Sequence, residues 1–358
     1  MAGAREFDVV GIGAVNLDVI VTAGAGSGRV ELERLLAGAG GLDWGAEVLV
    51  DEPTVYAAVE AVGAASVTAT LGGSAFNTVH ASARLGRGLR LGYVGVAGRV
   101  PVPGLSSLAL LDRLGVDRTH VHAAAATCGL CFSFAAAGER TMLTAAGANA
   151  GLAGHLDASF DLLVGYLAAA RIVHVAAPLD DRSPARLLRL VRAVRAASPA
   201  TLISVDPGHA WSTGPPPAVR DLLRASDLVL VNQREFAALG GSGPDEAVAA
   251  GIAGGAASER LVIVVKRPDG VLCCHAGPGG VDADWLPRAP LPAAVIRDPT
   301  GAGDVFAAGL LAVLAADPGN HRLGCRLGTE LARHTMRHPG PDRHADLAGI
   351  AETVLAGR

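Results

Sequence analysis

The sequence predicts an α/β fold in which a mostly parallel sheet is sandwiched by helices. From residue 160 onward, short apolar runs alternate with longer amphipathic stretches. The predicted strands are Ile172–Ala176, Leu202–Val205, Leu228–Val231 and Leu261–Val265, and the predicted helices are Ser183–Ala197, Pro217–Ser226, Glu235–Leu239 and Asp245–Ala253. Because strand–helix–strand units connect parallel strands and place helices on the sheet faces, this alternation favours a parallel sheet covered on both sides.

The first 150 residues contain more extended runs and a glycine pair. Strands are predicted at residues 7–13 and Leu89–Val96, with extended character at residues 14–21 and a hairpin of Val121–Ala137 and Thr141–Thr144. Gly72-Gly73 precedes a predicted helix over Ala75–Leu85, for which Ser74 is the expected N-cap. Between these elements, segment 24–71 contains predicted helices at Glu31–Ala37 and Thr54–Val62.

Length and charge narrow the class of protein. At 358 residues the chain is long enough for one or two α/β domains, and we expect a single domain over residues 1–358. Half of the residues are hydrophobic, so a sizeable core is available. A net charge of −4 argues against a surface for nucleic acid or anionic membranes. The sequence lacks a membrane-length apolar run and a signal-peptide pattern, so we expect a cytoplasmic protein.

The cysteines are expected to be free. There are five of them, Cys128, Cys131, Cys273, Cys274 and Cys325. The odd count without a secretory signal indicates thiols and not a disulfide framework. Cys128 and Cys131 lie three apart in a strand-like run, where they would face opposite sides and could not share a metal ion.

The stretch 294–315 combines a strand end, a glycine turn and a helix start. Val295–Ile296 is predicted to end a buried strand. Gly301 and Gly303 permit a tight turn, and the residues from Asp304 onward favour a helix. Free N–H groups and the helix dipole at such a turn form a site for an anion.

An acid at the mouth of an anion site needs a reason, because it repels a bound phosphate. Helix capping is one reason, since Asp is favoured at helix starts. The other is a general base that takes the proton from a hydroxyl as the hydroxyl attacks the phosphate. Glycines on both sides of Ala302, directly before Asp304, favour the base. The N–H groups of Ala302, Gly303 and Asp304 would then stabilise charge on the transferring phosphoryl group.

Polar residues follow the predicted strands. They are Asp206, Asn232 and Glu235, with Asp298 and Asp304 further along the chain. Because ligands of parallel sheets bind at the carboxyl ends of the strands, we expect these side chains to converge at one edge. Glu235 would suit the water shell of Mg²⁺, or it only favours the start of a helix. Lys266 would contact phosphates as a cation, or it lies in a solvated loop.

Two motifs resemble the signatures of the ribokinase (PfkB-type) carbohydrate kinase family. The first is Gly72-Gly73-Ser-Ala-Phe-Asn77-Thr-Val-His-Ala-Ser-Ala-Arg-Leu85-Gly86, and the second is Asp298-Pro-Thr-Gly-Ala-Gly-Asp304. The resemblance implies a ribokinase-like fold with a small β lid, whose strands would come from about 14–71 and 89–146. It further implies ATP-dependent phosphorylation of a sugar hydroxyl with Mg²⁺, and it leaves open a homodimer.

The resemblance also implies a role for each matching residue. Asp304 would be the base, with Gly301, Ala302 and Gly303 completing the catalytic set. The substrate-binding set is Asn16, Asp18, Gly72, Gly73 and Asn77, and the nucleotide-binding set is Asn232, Lys266, Gly270, Gly301 and Gly303. Glu235 would hold Mg²⁺ through water. Asp298 and Thr300 fall where many relatives bind a monovalent cation, here K⁺.

Two alternatives remain open. Segment 24–71, an insertion relative to simpler sugar kinases, resembles the adenosine-kinase branch and favours a nucleoside substrate, or it is a surface elaboration. Arg99 stands where the family usually has an acid, and Lys266–Arg267 stands where it has Thr and Gly. These departures favour a catalytically degenerate sugar-binding or regulatory protein, whereas the intact Gly-Ala-Gly-Asp turn favours a kinase. The sequence contains no Gly-x-x-x-x-Gly-Lys-Ser/Thr motif, which argues against a P-loop kinase.

Overall fold

The structure is a computed structural model that describes residues 5–21, 47–63, 67–136, 139–178, 180–254, 260–338 and 344–357. The predicted helix Glu31–Ala37 lies outside the described residues, as does all of segment 24–46. Within the described ranges, the helices are too short or too polar to cross a membrane.

Strands account for both sheets of the fold. In chain order they are β1 (Phe7–Ile12), β2 (Asn16–Val21), β3 (Glu47–Leu49), β4 (Val67–Gly72), β5 (Leu91–Arg99), β6 (Asp117–Thr127), β7 (Gly129–Ala136), β8 (Glu139–Ala145), β9 (Ala170–Ala176), β10 (Leu202–Asp206), β11 (Leu228–Asn232), β12 (Val262–Arg267), β13 (Gly270–Gly277) and β14 (Gly280–Pro287). The four strands predicted after residue 160 are confirmed as β9 to β12, and their ends differ by at most two residues.

Helices connect most of these strands. They are α1 (Glu52–Val62), α2 (Ser74–Ala83), α3 (Ser107–Arg113), α4 (Leu152–Ala158), α5 (Phe160–Ala168), α6 (Ser183–Ala197), α7 (Gly208–Ser212), α8 (Pro217–Ala225), α9 (Gln233–Gly240), α10 (Asp245–Ala253), α11 (Ala302–Ala316), α12 (His321–Thr335) and α13 (Leu347–Ala356). The predicted bounds of α6 and α10 are confirmed.

The large sheet has the strand order β14-β13-β12-β11-β10-β9-β1-β5-β6. Strands β12 to β6 in this order pair in parallel, and β13 and β14 add an antiparallel edge. The predicted fold class is confirmed. The antiparallel edge was not predicted, because its strands have no intervening helix and so do not follow the strand–helix alternation.

The small sheet has the order β3-β8-β7-β2-β4 and lies beside the β1–β2 connection. Its strands fall in residues 16–21, 47–49, 67–72, 129–136 and 139–145. These are the two regions expected to supply a lid, except that β4 extends one residue further, to Gly72. That this sheet acts as a lid stays a prediction.

The predicted strand Val121–Ala137 is wrong as a single element. It is divided between β6 of the large sheet and β7 of the small sheet, with a break at Cys128. The Cys128 N–H donates to the Arg99 carbonyl at 3.0 Å. A Cβ at Gly98 would lie 2.5 Å from the Cys128 nitrogen, so the missing side chain of Gly98 permits the turn between sheets.

The buried strand predicted to end at Val295–Ile296 is also wrong. Ala293–Val295 forms a short 3₁₀ turn, and Val295 is 37% exposed. Pro290 and Pro292 precede the turn. Prolines lack the N–H that a sheet ladder needs, so the apolar run cannot join the sheet.

Helix α11 lies across one face of the large sheet. Its residues from Val305 to Ala315 are buried, and Phe306 and Leu310 belong to the same core cluster as Leu228, Leu230 and Val264 of the sheet. The neighbouring residues on β11 and β12, such as Val229 and Val265, belong to the core on the opposite face. The N-terminus of α11 therefore lies over the strand ends on a defined side of the sheet.

Candidate active site

The carboxyl ends of β9 to β12 meet the N-terminus of α11. On the face toward α11, these strand ends present Ala176, Asp206, Asn232 and Lys266, and the register pairs Asp206 with Ala176 and Asn232 with Lys266. Lys266 Nζ lies 3.2 Å from Asp206 Oδ2. The structure thus places a cation, Lys266, at this edge beside Asp206, one of the carboxylates that the strand-end pattern predicted there.

Asp304 is held by helix α2. The Ser74 hydroxyl donates to Asp304 Oδ1 at 2.7 Å, and Asn77 Nδ2 donates to Oδ2 at 2.9 Å. The Thr78 hydroxyl donates to the Asp304 carbonyl at 3.2 Å. Asp304 is the third residue of α11, and the N-cap is Gly301 at φ 75° with no side-chain cap. The carboxylate is therefore not the cap of its own helix, and α11 begins two residues earlier than predicted.

The pKa of Asp304 lies above its ordinary value. Burial is the largest cause and the nearby Asp206 adds to it, whereas the hydrogen bonds from Ser74 and Asn77 and the charge of Lys266 lower it. The helix dipole favours an ionised carboxylate in the first turn, but burial outweighs the favourable contacts. A raised pKa brings a carboxylate closer to the operating pH of a general base.

Two of the α2 residues have roles that sequence reasoning missed. Ser74 was the expected N-cap, but the N-cap is Gly73 at φ 108°, and Ser74 instead donates to Asp304. Asn77 was assigned to substrate hydroxyls, but its amide nitrogen binds Asp304. Its Oδ1 atom is buried and has no partner among the described residues, so this atom remains available for a ligand.

Replacing Asn77 with Ala should move the acidic limb of the kcat–pH profile to higher pH. The Asn77 hydrogen bond favours ionised Asp304, so its loss raises the pKa of the carboxyl further. Activity should fall most at low pH and recover as the pH rises. Ser82→Ala is the control, since the Ser82 hydroxyl donates within α2 to Thr78. An acidic limb that does not move would contradict the coupling of Asn77 to Asp304.

Asp18 lies against the glycine pair. It is 6% exposed, and β2 pairs Asp18 with Thr70 of β4 and Cys131 of β7. A Cβ at Gly72 would lie 1.9 Å from Asp18 Oδ2, so only glycine leaves room for this carboxylate. Gly73 is equally constrained, because a Cβ there would lie 2.2 Å from the Ala14 carbonyl oxygen.

Asn16 is fixed by Asn149, a residue that the sequence did not indicate. Asn149 Nδ2 donates to Asn16 Oδ1 at 2.8 Å, and Asn149 Oδ1 accepts from the Val15 N–H at 2.9 Å. Asn149 lies in the run Gly147-Ala-Asn149-Ala-Gly151, where a lone polar residue among small ones is the only local signal. A residue distant in sequence thereby fixes the β1–β2 connection through two hydrogen bonds.

A cavity of about 210 Å³ adjoins this machinery. It is lined by Ala14, Asn16, Glu47, Ser74, Thr144, Ala146, Asn149, Ala150, Ala176, Ala177, Pro178, Asp180, Arg182, Asp206, Pro207, Gly208, His209 and Ala210. Asp304, Asp18 and Asn77 do not line it directly, but Ser74 connects its wall to Asp304. The cavity therefore lies between the strand ends and the small sheet, next to the candidate base.

Lys266 and Arg267 face opposite sides of β12. Burial lowers the pKa of Lys266, but attraction to Asp206, Glu235 and Asp304 outweighs it and raises the pKa above its ordinary value. Arg267 binds Asp245 of α10 on the other face. Lys266 is thus part of the site and not of a solvated loop.

Local backbone geometry explains why residue 270 is a glycine. Its φ is 155°, and a Cβ would lie 2.4 Å from the Leu286 carbonyl oxygen in the β13–β14 pair. Its assignment to the nucleotide stays a prediction.

Asn232 and Glu235 form a capping box at the start of α9. Asn232 Oδ1 accepts from the Glu235 N–H at 2.9 Å, and the Asn232 N–H donates to Glu235 Oε2 at 2.8 Å. Burial, with the charge of Asp206 adding to it, raises the pKa of Glu235 to about 7. The helix-start interpretation is therefore a fact of the structure, and a role toward Mg²⁺ would come in addition to it.

Asp298 and Thr300 form a turn just before α11. The Thr300 N–H donates to Asp298 Oδ1 at 2.8 Å, and Thr300 Oγ1 is buried without a partner among the described residues. An unpartnered buried oxygen beside a carboxylate fits the oxygen ligands that a hard cation needs.

The cysteines are buried and free. Within the described ranges, no group of three or more His, Cys, Asp or Glu side chains could hold a metal ion by itself.

Comparisons with known proteins agree with the fold and the motifs. The profile of the pfkB family carbohydrate kinases matches residues 48–346. A search of curated proteins finds no match. Among solved structures, a probable sugar kinase protein from Rhizobium etli CFN 42 has a TM-score of 0.76 at 20% identity, covering 99% of this chain and 99% of that chain.

Two adenosine kinases are also similar in structure. The enzyme from Sinorhizobium meliloti has a TM-score of 0.76 at 21% identity, covering 97% of this chain and 99% of that chain. The enzyme from Schistosoma mansoni, in complex with 2-fluoroadenosine, has a TM-score of 0.75 at 18% identity, covering 93% and 96%. At these identities the neighbours establish the fold, and the profile establishes the family. The chain belongs to the pfkB family of carbohydrate kinases, and it is a kinase.

Proposed function

We propose that the protein transfers the γ-phosphoryl group of ATP to a hydroxyl of a sugar. The observation that carries this proposal is the half-buried Asp304 carboxylate, which α2 fixes at the first turn of α11 through Ser74 and Asn77. A base held at a helix N-terminus can serve a hydroxyl and a phosphate at the same point.

The transfer follows from that arrangement. Asp304 accepts the hydroxyl proton as the acceptor oxygen forms a bond to the γ-phosphorus. The bond between the γ-phosphorus and the β–γ bridging oxygen breaks, and ADP leaves with that electron pair. The N–H groups of Gly303 and Asp304, in the first turn of α11, would stabilise the charge on the phosphoryl oxygens. The Ala302 N–H donates to the Pro299 carbonyl at 3.2 Å and would have to give up that bond to join them. Asp18 and the free Oδ1 of Asn77 would bind acceptor hydroxyls, and Asn16, Gly72 and Gly73 would shape that subsite.

The residues present fit the expected cations. Glu235 would hold Mg²⁺ through water, beside Asn232, and Mg²⁺ when bound neutralises phosphate charge. Asp298 and Thr300 would hold K⁺ behind the anion site, which the unpartnered Thr300 oxygen supports. Lys266, Gly270, Gly301 and Gly303 would lie on the nucleotide side.

A sugar is favoured over a nucleoside by the cavity wall. Among the described lining residues, none is Phe, Tyr or Trp, which a purine would use for stacking, whereas Asn, Ser, Thr and acidic side chains suit hydroxyls. Adenosine remains the second candidate, because adenosine kinases are among the structural neighbours. We further propose a cytoplasmic enzyme with small-molecule partners only, either monomeric or a homodimer.

The test is ADP release from ATP and Mg²⁺ with a panel of pentoses, hexoses and nucleosides. We expect a sugar to give the highest kcat/KM. If a nucleoside gives a higher kcat/KM than every sugar, the second candidate, a nucleoside kinase, replaces the first. If no acceptor in the panel raises the rate of ADP release above the rate measured without acceptor, the degenerate, sugar-binding alternative is favoured.

Replacing Glu235 with Gln should raise the Mg²⁺ concentration needed for half-maximal rate. The substitution removes a charge from the expected outer shell of the metal but keeps an oxygen for the capping box. Titration of the rate with Mg²⁺ at saturating ATP measures the effect. If the titration is unchanged while thermal stability falls, Glu235 is a helix-start residue only.

A further inference from the structure

The ammonium group of Lys266 lies against the first turn of α11. A Cβ placed on Gly303 would be 3.3 Å from Lys266 Nζ, which puts the cation beside the N–H groups of the anion site. The side chain is 18% exposed, so solvent screens it weakly. Two sources of positive potential, the helix terminus and a fixed cation, therefore lie side by side.

Asp206 fixes that cation. Its Oδ2 atom binds Lys266 Nζ at 3.2 Å, and its Oδ1 atom accepts from the Gly208 N–H at 3.0 Å. Both carboxylate oxygens are thus engaged, and the side chain is 10% exposed. Gly208 has φ 54°, so a glycine turn after β10 presents this N–H to the carboxylate.

The local charges leave Lys266 able to accept another anion. Burial lowers its pKa, yet attraction to Asp206, Glu235 and Asp304 keeps the ammonium charged. One of its three N–H donors binds Asp206, and within the described ranges the other two make no hydrogen bond. A phosphoryl group at the N-terminus of α11 would find these donors.

We propose that Asp206 is a positioning residue that holds Lys266 beside the N-terminus of α11, where the Lys266 ammonium binds the transferring phosphoryl group. The inference rests on the proposed phosphotransfer. Lys266 keeps its protons throughout and acts by hydrogen bonding to phosphoryl oxygens, whose charge is spread in a loose transition state. Asp206 acts on the phosphoryl group only through Lys266, because both of its carboxylate oxygens are engaged, although the residue also lines the cavity.

A double-mutant cycle tests the pair. Lys266→Met should lower kcat/KM for ATP by about 10²–10³-fold, the effect typical of a lost oxyanion-type donor. Asp206→Asn should lower it at least tenfold in the wild-type background and by less than twofold in the Lys266→Met background. The KM of the acceptor should change little in every variant. Lys266→Arg should restore part of the loss, because it keeps the charge.

The neighbouring ion pair on the same strand is the matched control. Asp245→Asn removes the partner of Arg267, one residue further along β12 on the opposite face, and should change kcat/KM less than twofold. Calorimetry with the β,γ-imido analogue of ATP, without metal, should show the same non-additive pattern as the kinetics. Because this binding measurement needs no acceptor, it tests the pair even if the phosphotransfer proposal fails.

The outcomes separate cleanly. Losses that add fully in the double variant, or an Asp206→Asn variant that behaves like Asp245→Asn in both assays, would overturn the positioning role. A wild-type protein that transfers phosphate to no acceptor would overturn the proposed function, while a non-additive binding cycle would still support Asp206 as the residue that positions Lys266.

Discussion

The Asp304→Asn variant should lose at least two orders of magnitude in kcat. General-base catalysis is typically worth about 10²–10⁴-fold, and an amide cannot accept the hydroxyl proton. The KM values of acceptor and ATP should change little, because the lost interaction belongs to the transition state. Steady-state kinetics at saturating concentrations of both substrates measures the effect.

The same substitution should leave the fold intact. The new amide can accept from Ser74, and Asn77 can turn its unpartnered Oδ1 toward the new N–H donor. The folded protein has a raised Asp304 pKa, so the ionised carboxylate costs stability above that pKa and the cost disappears as the pH falls through it. The melting temperature of Asp304→Asn should thus equal or exceed that of the wild type at neutral pH, with a smaller difference in acid.

The contrary result would identify a different base. If Asp304→Asn kept a tenth or more of the wild-type kcat, the carboxylate would have a structural role only. A large loss of kcat together with a lower melting temperature at neutral pH would instead indicate damage to the fold.

The Gly72→Ala variant should lose acceptor binding. A methyl group at this position would lie 1.9 Å from Asp18 Oδ2, so the carboxylate must leave its position. Hydrogen bonds to a charged group are worth about 1.5–3 kcal/mol, which corresponds to roughly a ten- to hundredfold rise in the KM of the acceptor. Nucleotide affinity should stay near that of the wild type, because β4 and β2 belong to the small sheet.

Two further variants make this result specific. Gly277→Ala adds a methyl group to strand β13, where nothing lies within 4 Å, and should change neither constant. Asp18→Ala should give a rise in acceptor KM similar to that of Gly72→Ala, and the double variant should be little worse than either. An unchanged acceptor KM in Gly72→Ala and Asp18→Ala would remove Asp18 from the substrate-binding set.

The sequence by itself determined the fold class, the parallel strands, and helices α6 and α10. These elements are visible because their apolar periodicity is local and their ends carry turn residues or prolines. The family was also readable, since its two signatures are contiguous stretches of the chain. The sequence also shows Gly72 and Gly73 as a pair. It does not show the close contacts that require glycine at both positions.

Only the tertiary structure decided which atoms meet at the site. Ser74 and Asp304 are separated by 230 positions, and Lys266 and Asp206 by 60, so no local pattern relates them. The division of residues 121–137 between two sheets depends on Gly98 approaching Cys128. Burial of Asp304 results from the packing of segments that are distant in sequence, and its effect on the pKa of this carboxyl outweighs that of the helix dipole. Long-range packing determines how far each group is desolvated and which partners it has. A local sequence pattern reveals neither.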